Sequence, residues 1–291
     1  NMFIVKRTHI FYENREKLLR EAQYALSTPS NVYGMFSNAD LEFEDAIDKD
    51  GQAYPLTQGT FIKYLESDDR ELRASAFRNV YKAYGAHNNT LGATLAGEVK
   101  KNVFNARTHH YRSARERALS NNHIPEAVYD NLIKTVHKYL PLLHRYTKLR
   151  QELLGLDDLK MYDLYTPLVK DVKFEMPYEE AKSWMLKALE PMGEEYLNVV
   201  KEGLDNRWVD VYENKGKRSG GYSSGGHLTN PFILLNWSDT VSDLYTLVHE
   251  FGHSAHSYFS RQNQPSNLSD YTIFVAEVAS TCNEALLSDY M

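Results

Sequence analysis

His249-Glu250-Phe251-Gly252-His253 sets two imidazoles four residues apart, with a carboxylate next to the first. On a helix, positions i and i+4 share a face about one turn apart, so both rings can give a nitrogen to one metal ion. Glu250 is rotated about 100° from His249, so it borders such an ion without lying over it. A carboxylate in that position can reach a water beside the metal. Catalytic zinc asks for a third protein ligand and one open position. Glu277 and Glu284 follow on the next expected helix, about two turns apart and on nearly the same side. An acidic pair facing a histidine pair supplies what a His-His-Glu site needs. Taken singly, each residue has a plainer reading: a solvated helix face for the glutamates, a hydrogen-bonded core role for the histidines. The set at this spacing points to zinc.

The elements that position these residues can be read from periodicity. Ser238 or Asp239 is placed to cap a helix carrying Leu244, Leu247, Val248, Phe251, Ala255 and Phe259. Pro265 turns the chain into a second helix over 270 to about 290, with Phe274, Val275, Val278 and Leu286 as expected core positions. Trp208-Val209-Asp210-Val211-Tyr212 alternates as a strand does, and Pro231-Phe232-Ile233-Leu234-Leu235-Asn236-Trp237 reads as a buried strand. Between them, the run from Lys215 through Gly216, Gly220, Gly221, Gly225 and Gly226 can be a flexible linker. It can equally let another backbone approach closely at an edge strand. No Gly-Lys-Ser/Thr closes the run, so a phosphate loop is out.

Upstream the pattern is helical and names no chemistry. Asp68-x-x-Glu71 reads as a capping pair before Leu72, Ala76, Phe77, Val80, Tyr81 and Tyr84. Leu91, Leu95, Val99 and Val103 mark a second helix, and Val128, Leu132, Val136 and Leu140 a third that Pro125 opens and Gly155 closes. Pro141 is expected to bend or briefly end that helix. Pro177 starts a fourth, which Pro191 stops. The division expected is a helical lobe over 1–155 and a catalytic segment over 156–291, in a mainly α fold with a small β-sheet beside the active-site helix.

Composition narrows the partners. Of 291 residues 25% are charged, with 33 Lys+Arg against 39 Asp+Glu and a formal charge of −6. A mildly acidic chain without a basic block argues against nucleic-acid and anionic-membrane binding. No apolar run approaches the ~20 residues that span a bilayer, and Asn1-Met2-Phe3-Ile4-Val5-Lys6-Arg7 has no charged region leading into a signal-peptide core. The single cysteine, Cys282, excludes an intramolecular disulfide framework and a Cys-built zinc site, so a cytoplasmic compartment is expected.

The run from Thr246 to Ser257, containing His249-Glu250-Phe251-Gly252-His253-Ser254-Ala255-His256, resembles the H-E-x-G-H-x-x-H signature of the thimet oligopeptidase and oligoendopeptidase F zinc metallopeptidases. Phe274-Val275-Ala276-Glu277 and Asn283-Glu284-Ala285-Leu286 are similar to that family's third-ligand helix. The likeness is closer to the oligoendopeptidase F branch, through Gly220-Gly221-Tyr222, Pro231 to Asn236 and Tyr162-Asp163-Leu164-Tyr165. It implies a zincin-like fold and one zinc ion held by His249, His253 and Glu277. Glu250 is then general base and later acid, with His256 and Glu284 as orienting neighbours. Gly220, Gly221 and Tyr222 are implied to hold the substrate backbone, and Gly252 to permit tight helix packing. A cleft between helical lobes would admit short peptides and exclude folded proteins. Family members are much longer, and their later histidine and tyrosines, which contact substrate, have no counterpart here. A partial chain that acts with a missing C-terminal segment of the same protein is therefore expected. The competing readings are a non-catalytic zinc-binding helical module, one half of a split peptidase, and an exopeptidase of the same architecture.

Overall fold

The computed structural model describes residues 13–169, 175–214 and 216–291. Residues 1–7, read above for a signal peptide, and Lys215 at the head of the glycine-rich run lie outside them. Backbone packing divides the chain into two units, Asn1–Tyr54 with Asp69–Leu168 and Pro55–Asp68 with Val169–Met291. The second unit thus takes in a short stretch that sequence alone assigns to the helical lobe.

The first unit carries helices α1 (Glu13–Leu26), α2 (Thr28–Met35), α3 (Arg70–Gly85), α4 (Asn88–Thr108), α5 (Ala114–Ser120) and α6 (Glu126–Leu154). A small antiparallel ladder joins β1 (Ala46–Ile47) to β2 (Ala53–Tyr54). Asp69, not Asp68, caps α3: its carboxylate accepts from the Glu71 and Leu72 amides at 2.9 and 3.3 Å. Leu72, Ala76 and Val80 then bury the face that their spacing indicates. Gly155 ends α6 in the left-handed conformation, φ 66°, which glycine adopts without a Cβ penalty. Pro141 neither ends nor interrupts α6. The carbonyl it deprives of a partner belongs to His137, which is exposed, so water can satisfy it.

Asp163 organises this unit. It lies at the end of a 3₁₀ turn, Met161–Asp163, and is fully buried. Arg70 and Arg73 donate to its carboxylate at 2.9 and 2.8 Å, and the Lys160 amide at 2.9 Å. Arg150, from α6, donates to the Asp163 and Thr166 carbonyls. Burial alone would raise the Asp163 carboxyl; the two arginines and the amide outweigh it and hold the group below the usual carboxylate range.

The second unit builds a mixed three-stranded sheet from β3 (Val209–Tyr212), β4 (Tyr222–Ser224) and β5 (Phe232–Trp237). β5 is central, parallel to β3 and antiparallel to β4, which leaves β4 at an edge. Around it pack α7 (Tyr178–Ala188), α8 (Glu194–Asp205), α9 (Val241–Asn263) and α10 (Ile273–Tyr290). Their shared core includes Met185, Val200, Leu235, Leu247, Phe251 and Leu287. Thr240 caps α9 through a capping box with Asp243, in place of the expected Ser238 or Asp239. Asp239 instead adopts φ 62° and accepts from the Trp237 indole.

Several expected core positions are exposed: Leu95 and Val99 on α4, Val128, Leu132 and Val136 on α6, and Phe274, Val275 and Val278 on α10. Periodicity reports that a helix has an apolar stripe; it does not report what covers it. Among the described residues, no helix is long and apolar enough to cross a membrane.

Asp163→Ala leaves Arg73 buried without its counter-charge, so it should cost about 3–5 kcal/mol of stability in a denaturant titration. The native carboxyl is held low. Its contribution is therefore complete above the unfolded value of ~3.9 and fades as pH falls toward the native one. Wild type should lose stability over that acid interval, and the variant should lose less.

Candidate metal centre

α9 and α10 form an antiparallel pair, and one turn of α9 sets how close they come. A Cβ at Gly252 would sit 2.6 Å from the Ser280 Cα and 2.9 Å from the Ala279 carbonyl oxygen. Backbone meets backbone there, so only glycine fits. On the turns either side of that contact, α9 presents His249 and His253 to α10.

The His249 and His253 rings stand perpendicular, with centroids 4.7 Å apart. Glu277 Oε2 lies 3.4 Å from His249 Nε2 and 3.6 Å from His253 Nε2. One ligand atom from each of the three residues falls within 4.8 Å of the others. Donors ~2.0–2.1 Å from a tetrahedral zinc lie about 3.4 Å from one another, so two nitrogens and an oxygen at these separations fit such an ion. Glu284 bonds His249 Nδ1. A proton held on that nitrogen leaves Nε2 with a free lone pair on the side of Glu277. The His253 ring is bonded to the Ala276 backbone. Burial, with His249 alongside, lowers the proton affinity of His253 and favours the neutral ring that a metal needs.

Glu250 is 6% exposed. Its Oε2 is buried and has no hydrogen-bond partner among the described residues. An orphaned carboxylate oxygen beside three metal donors is the fit expected of a site that takes a water. Burial raises the Glu250 carboxyl and Glu277 adds to this, while His249 and the Ser223 amide act against it. Ser223 belongs to edge strand β4, so the strand runs past the carboxylate. A Cβ on Gly221 would lie 3.5 Å from Glu250 Oε1 and 2.7 Å from the Thr246 methyl. Gly220 has φ 84°. These glycines are therefore an ordered close approach, not a linker. Tyr222 follows them half-exposed, with the Arg218 guanidinium 5.9 Å from its ring centre.

His256 is stacked on Tyr271, ring centres 3.7 Å apart, and makes no hydrogen bond to His249, His253 or Glu277. Burial lowers its proton affinity. The structure also brings in residues that no motif marks. Ser280 donates to Glu277 Oε2 at 3.0 Å, Ser254 pairs with Ser223 of β4 at 2.8 Å, and the Tyr271 hydroxyl reaches Ser257. Ser280 stands one turn after Glu277, the only trace of its role in the sequence.

The sequence pattern described as peptidase family M3 matches residues 63–291. Oligopeptidase PepF of Bacillus subtilis (strain 168) is 58% identical over 286 residues, covering 98% of this chain and 43% of that protein. Group B oligopeptidase PepB of Streptococcus agalactiae is 48% identical, covering 97% and 47%. The crystal structure of oligoendopeptidase-F from Enterococcus faecium superposes with a TM-score of 0.65 at 39% identity, over 99% of this chain and 44% of that one. The chain thus spans less than half the length of these relatives.

His249→Ala should abolish stoichiometric divalent metal, read by elemental analysis of the purified protein. Glu284→Gln keeps the shape but weakens the hold on His249. It should lower metal affinity by ~10–100-fold in a chelator competition.

Proposed function

The chain belongs to peptidase family M3, and on that footing we propose that it is a zinc-dependent endopeptidase acting on short oligopeptides. The observation that carries this reading is the convergence of His249, His253 and Glu277 within 4.8 Å, with the unpartnered Glu250 oxygen beside them. His249, His253 and Glu277 would hold one zinc ion, which when bound supplies Lewis acidity, bringing the pKa of water from 15.7 toward ~7 and polarising a carbonyl. Glu284 keeps His249 turned with Nε2 toward the site. Glu250 receives the proton as water attacks the peptide carbonyl, then returns it to the leaving amine. The free edge of β4 offers main-chain donors and acceptors to an extended peptide, and Gly220 and Gly221 let that peptide lie close to Glu250. Tyr222 would line the same edge, and His256 would brace the helix behind His253.

The catalytic segment is then residues 156–291, with 1–155 as a helical lobe. A single cysteine is in keeping with a cytoplasmic setting. Neither nucleic acid nor a membrane is assigned as a partner; the remaining length of a family-sized chain is. The competing readings, a non-catalytic zinc module and an exopeptidase, are separated from this one by a peptide blocked at both ends.

Glu250→Gln keeps the shape but cannot accept a proton. With an internally quenched, doubly blocked peptide, turnover should fall by at least ~10²-fold while zinc content is unchanged. Loss of zinc together with turnover would make Glu250 a ligand or a structural residue instead.

Residues 1–291 should also be a poorer peptidase than a chain of family length. Zinc is one of several groups that can stabilise the developing oxyanion, and each missing donor typically costs ~10²–10³ in rate. Equal kcat/KM for the two proteins would show that the shorter one is complete.

A further inference from the structure

The contact between α9 and α10 contains a polar link that the proposed chemistry does not use. Asn283 stands on α10 next to Glu284 and is 0% exposed, the largest polar side chain among the fully buried ones. Its Nδ2 donates to the Val248 carbonyl at 3.1 Å. Val248 immediately precedes His249 on α9, and in a helix its carbonyl also accepts from the Gly252 amide. The Tyr196 hydroxyl, on α8, lies 3.0 Å from Asn283 Oδ1. A carbonyl can only accept, so the amide nitrogen must face Val248 and the amide oxygen must face Tyr196. The Val248 carbonyl therefore fixes which way the asparagine points, and the Tyr196 hydroxyl donates to the amide oxygen left facing it.

This link is one of several cross-helix contacts. Beside the metal donors, Glu284 bonds His249 and the Ala276 backbone bonds the His253 ring. Toward the start of α9, the half-buried Tyr245 pairs with the exposed Ser288 at 2.8 Å. Toward its end, Gly252 rests on Ser280. The glycine contact is steric: it limits how closely the helices approach but offers no directional bond against sliding along their axes. Asn283 supplies direction. A slip of one residue on α10 is ~1.5 Å along the axis, enough to take Glu277 Oε2 out of reach of one histidine.

We infer that the Tyr196–Asn283–Val248 chain is a register pin, and that Asn283 is a positioning residue that holds Glu277 opposite His249 and His253 at metal-binding separation. The inference rests on the reading of those three residues as zinc ligands. Core packing alone does not explain the choice of residue. An apolar side chain would leave no polar atom to satisfy, and a buried amide is retained where its bonds specify one arrangement.

The test uses the intact protein and reads metal binding, not turnover. Asn283→Leu keeps the branching at Cγ on a larger side chain and removes both bonds; Tyr196→Phe removes only the hydroxyl that anchors the amide oxygen. Zinc affinity is measured by chelator competition under conditions where circular dichroism reports each variant folded, and the visible spectrum of the Co²⁺-loaded protein reports ligand geometry. Asn283→Leu should bind zinc ~10–100-fold more weakly, with an altered Co²⁺ spectrum. Tyr196→Phe should fall between it and wild type. Should Asn283→Leu fail to fold, Tyr196→Phe carries the test. Wild-type affinity and an unchanged spectrum in the folded variants would overturn the pin, leaving Asn283 a packing residue whose loss lowers stability alone. Wild-type protein that binds no stoichiometric zinc would overturn the metal reading itself, and the pin with it.

Discussion

Everything at the metal centre depends on two helix backbones touching at Gly252. Helix axes usually stand 8–10 Å apart because side chains fill the gap; a methyl here would run into the Ser280 backbone. The missing side chain is unfavourable in a helix interior by roughly 1 kcal/mol relative to alanine, and the contact it allows offsets that. Close approach brings histidines on one helix within reach of carboxylates on the other. With ordinary spacing, the short Glu277 side chain would fall short of both imidazoles.

Charge is arranged around that contact in two layers. Glu277 and Glu284 are partly open to solvent, each beside an imidazole. Glu250 is on the drier side, against β4, where burial favours its neutral form. A carboxylate that is hard to charge when the site is bare becomes easier to charge once a divalent cation is close. Position, burial and backbone contact thus suit three glutamates on two helices to the three distinct roles proposed for them: ligand, orienter of a ligand, and proton carrier. Asp163 in the other unit shows the opposite solution, a buried carboxylate kept ionised by two guanidinium groups.

The candidate site was largely legible in the sequence because its logic is periodic. His249 and His253 share a helix face by spacing, Glu277 and Glu284 share another, and both faces meet. β3 and β5 were legible as strands from alternation and from an apolar run, while the glycine-rich stretch between them allowed a linker as well as the edge strand β4 now seen. Helix starts were harder. Asp69 displaced Asp68, and Thr240 displaced Ser238 and Asp239, because adjacent polar residues compete for one cap and backbone geometry decides between them. Burial was least legible. Val128, Leu132 and Val136 form an apolar stripe that remains exposed in this chain. Asn283 and Tyr196 could not be found by pattern at all, since their partners are distant in sequence, and Ser280 is marked only by standing one turn after Glu277.

The short connection between Asn263, where α9 ends, and Ile273, where α10 begins, has a kinetic consequence. All three residues assigned to the metal lie on one helical hairpin, so bringing them together closes only a small loop. Loop-closure entropy grows with length, and contacts between sequence neighbours form faster than contacts that must wait for a distant strand. The central strand β5 pairs with β3 over a similar separation, Val209 with Ile233. Metal capture and hairpin formation are therefore coupled events of the early, local kind. An ion that arrives during folding would favour the native pairing of the two helices.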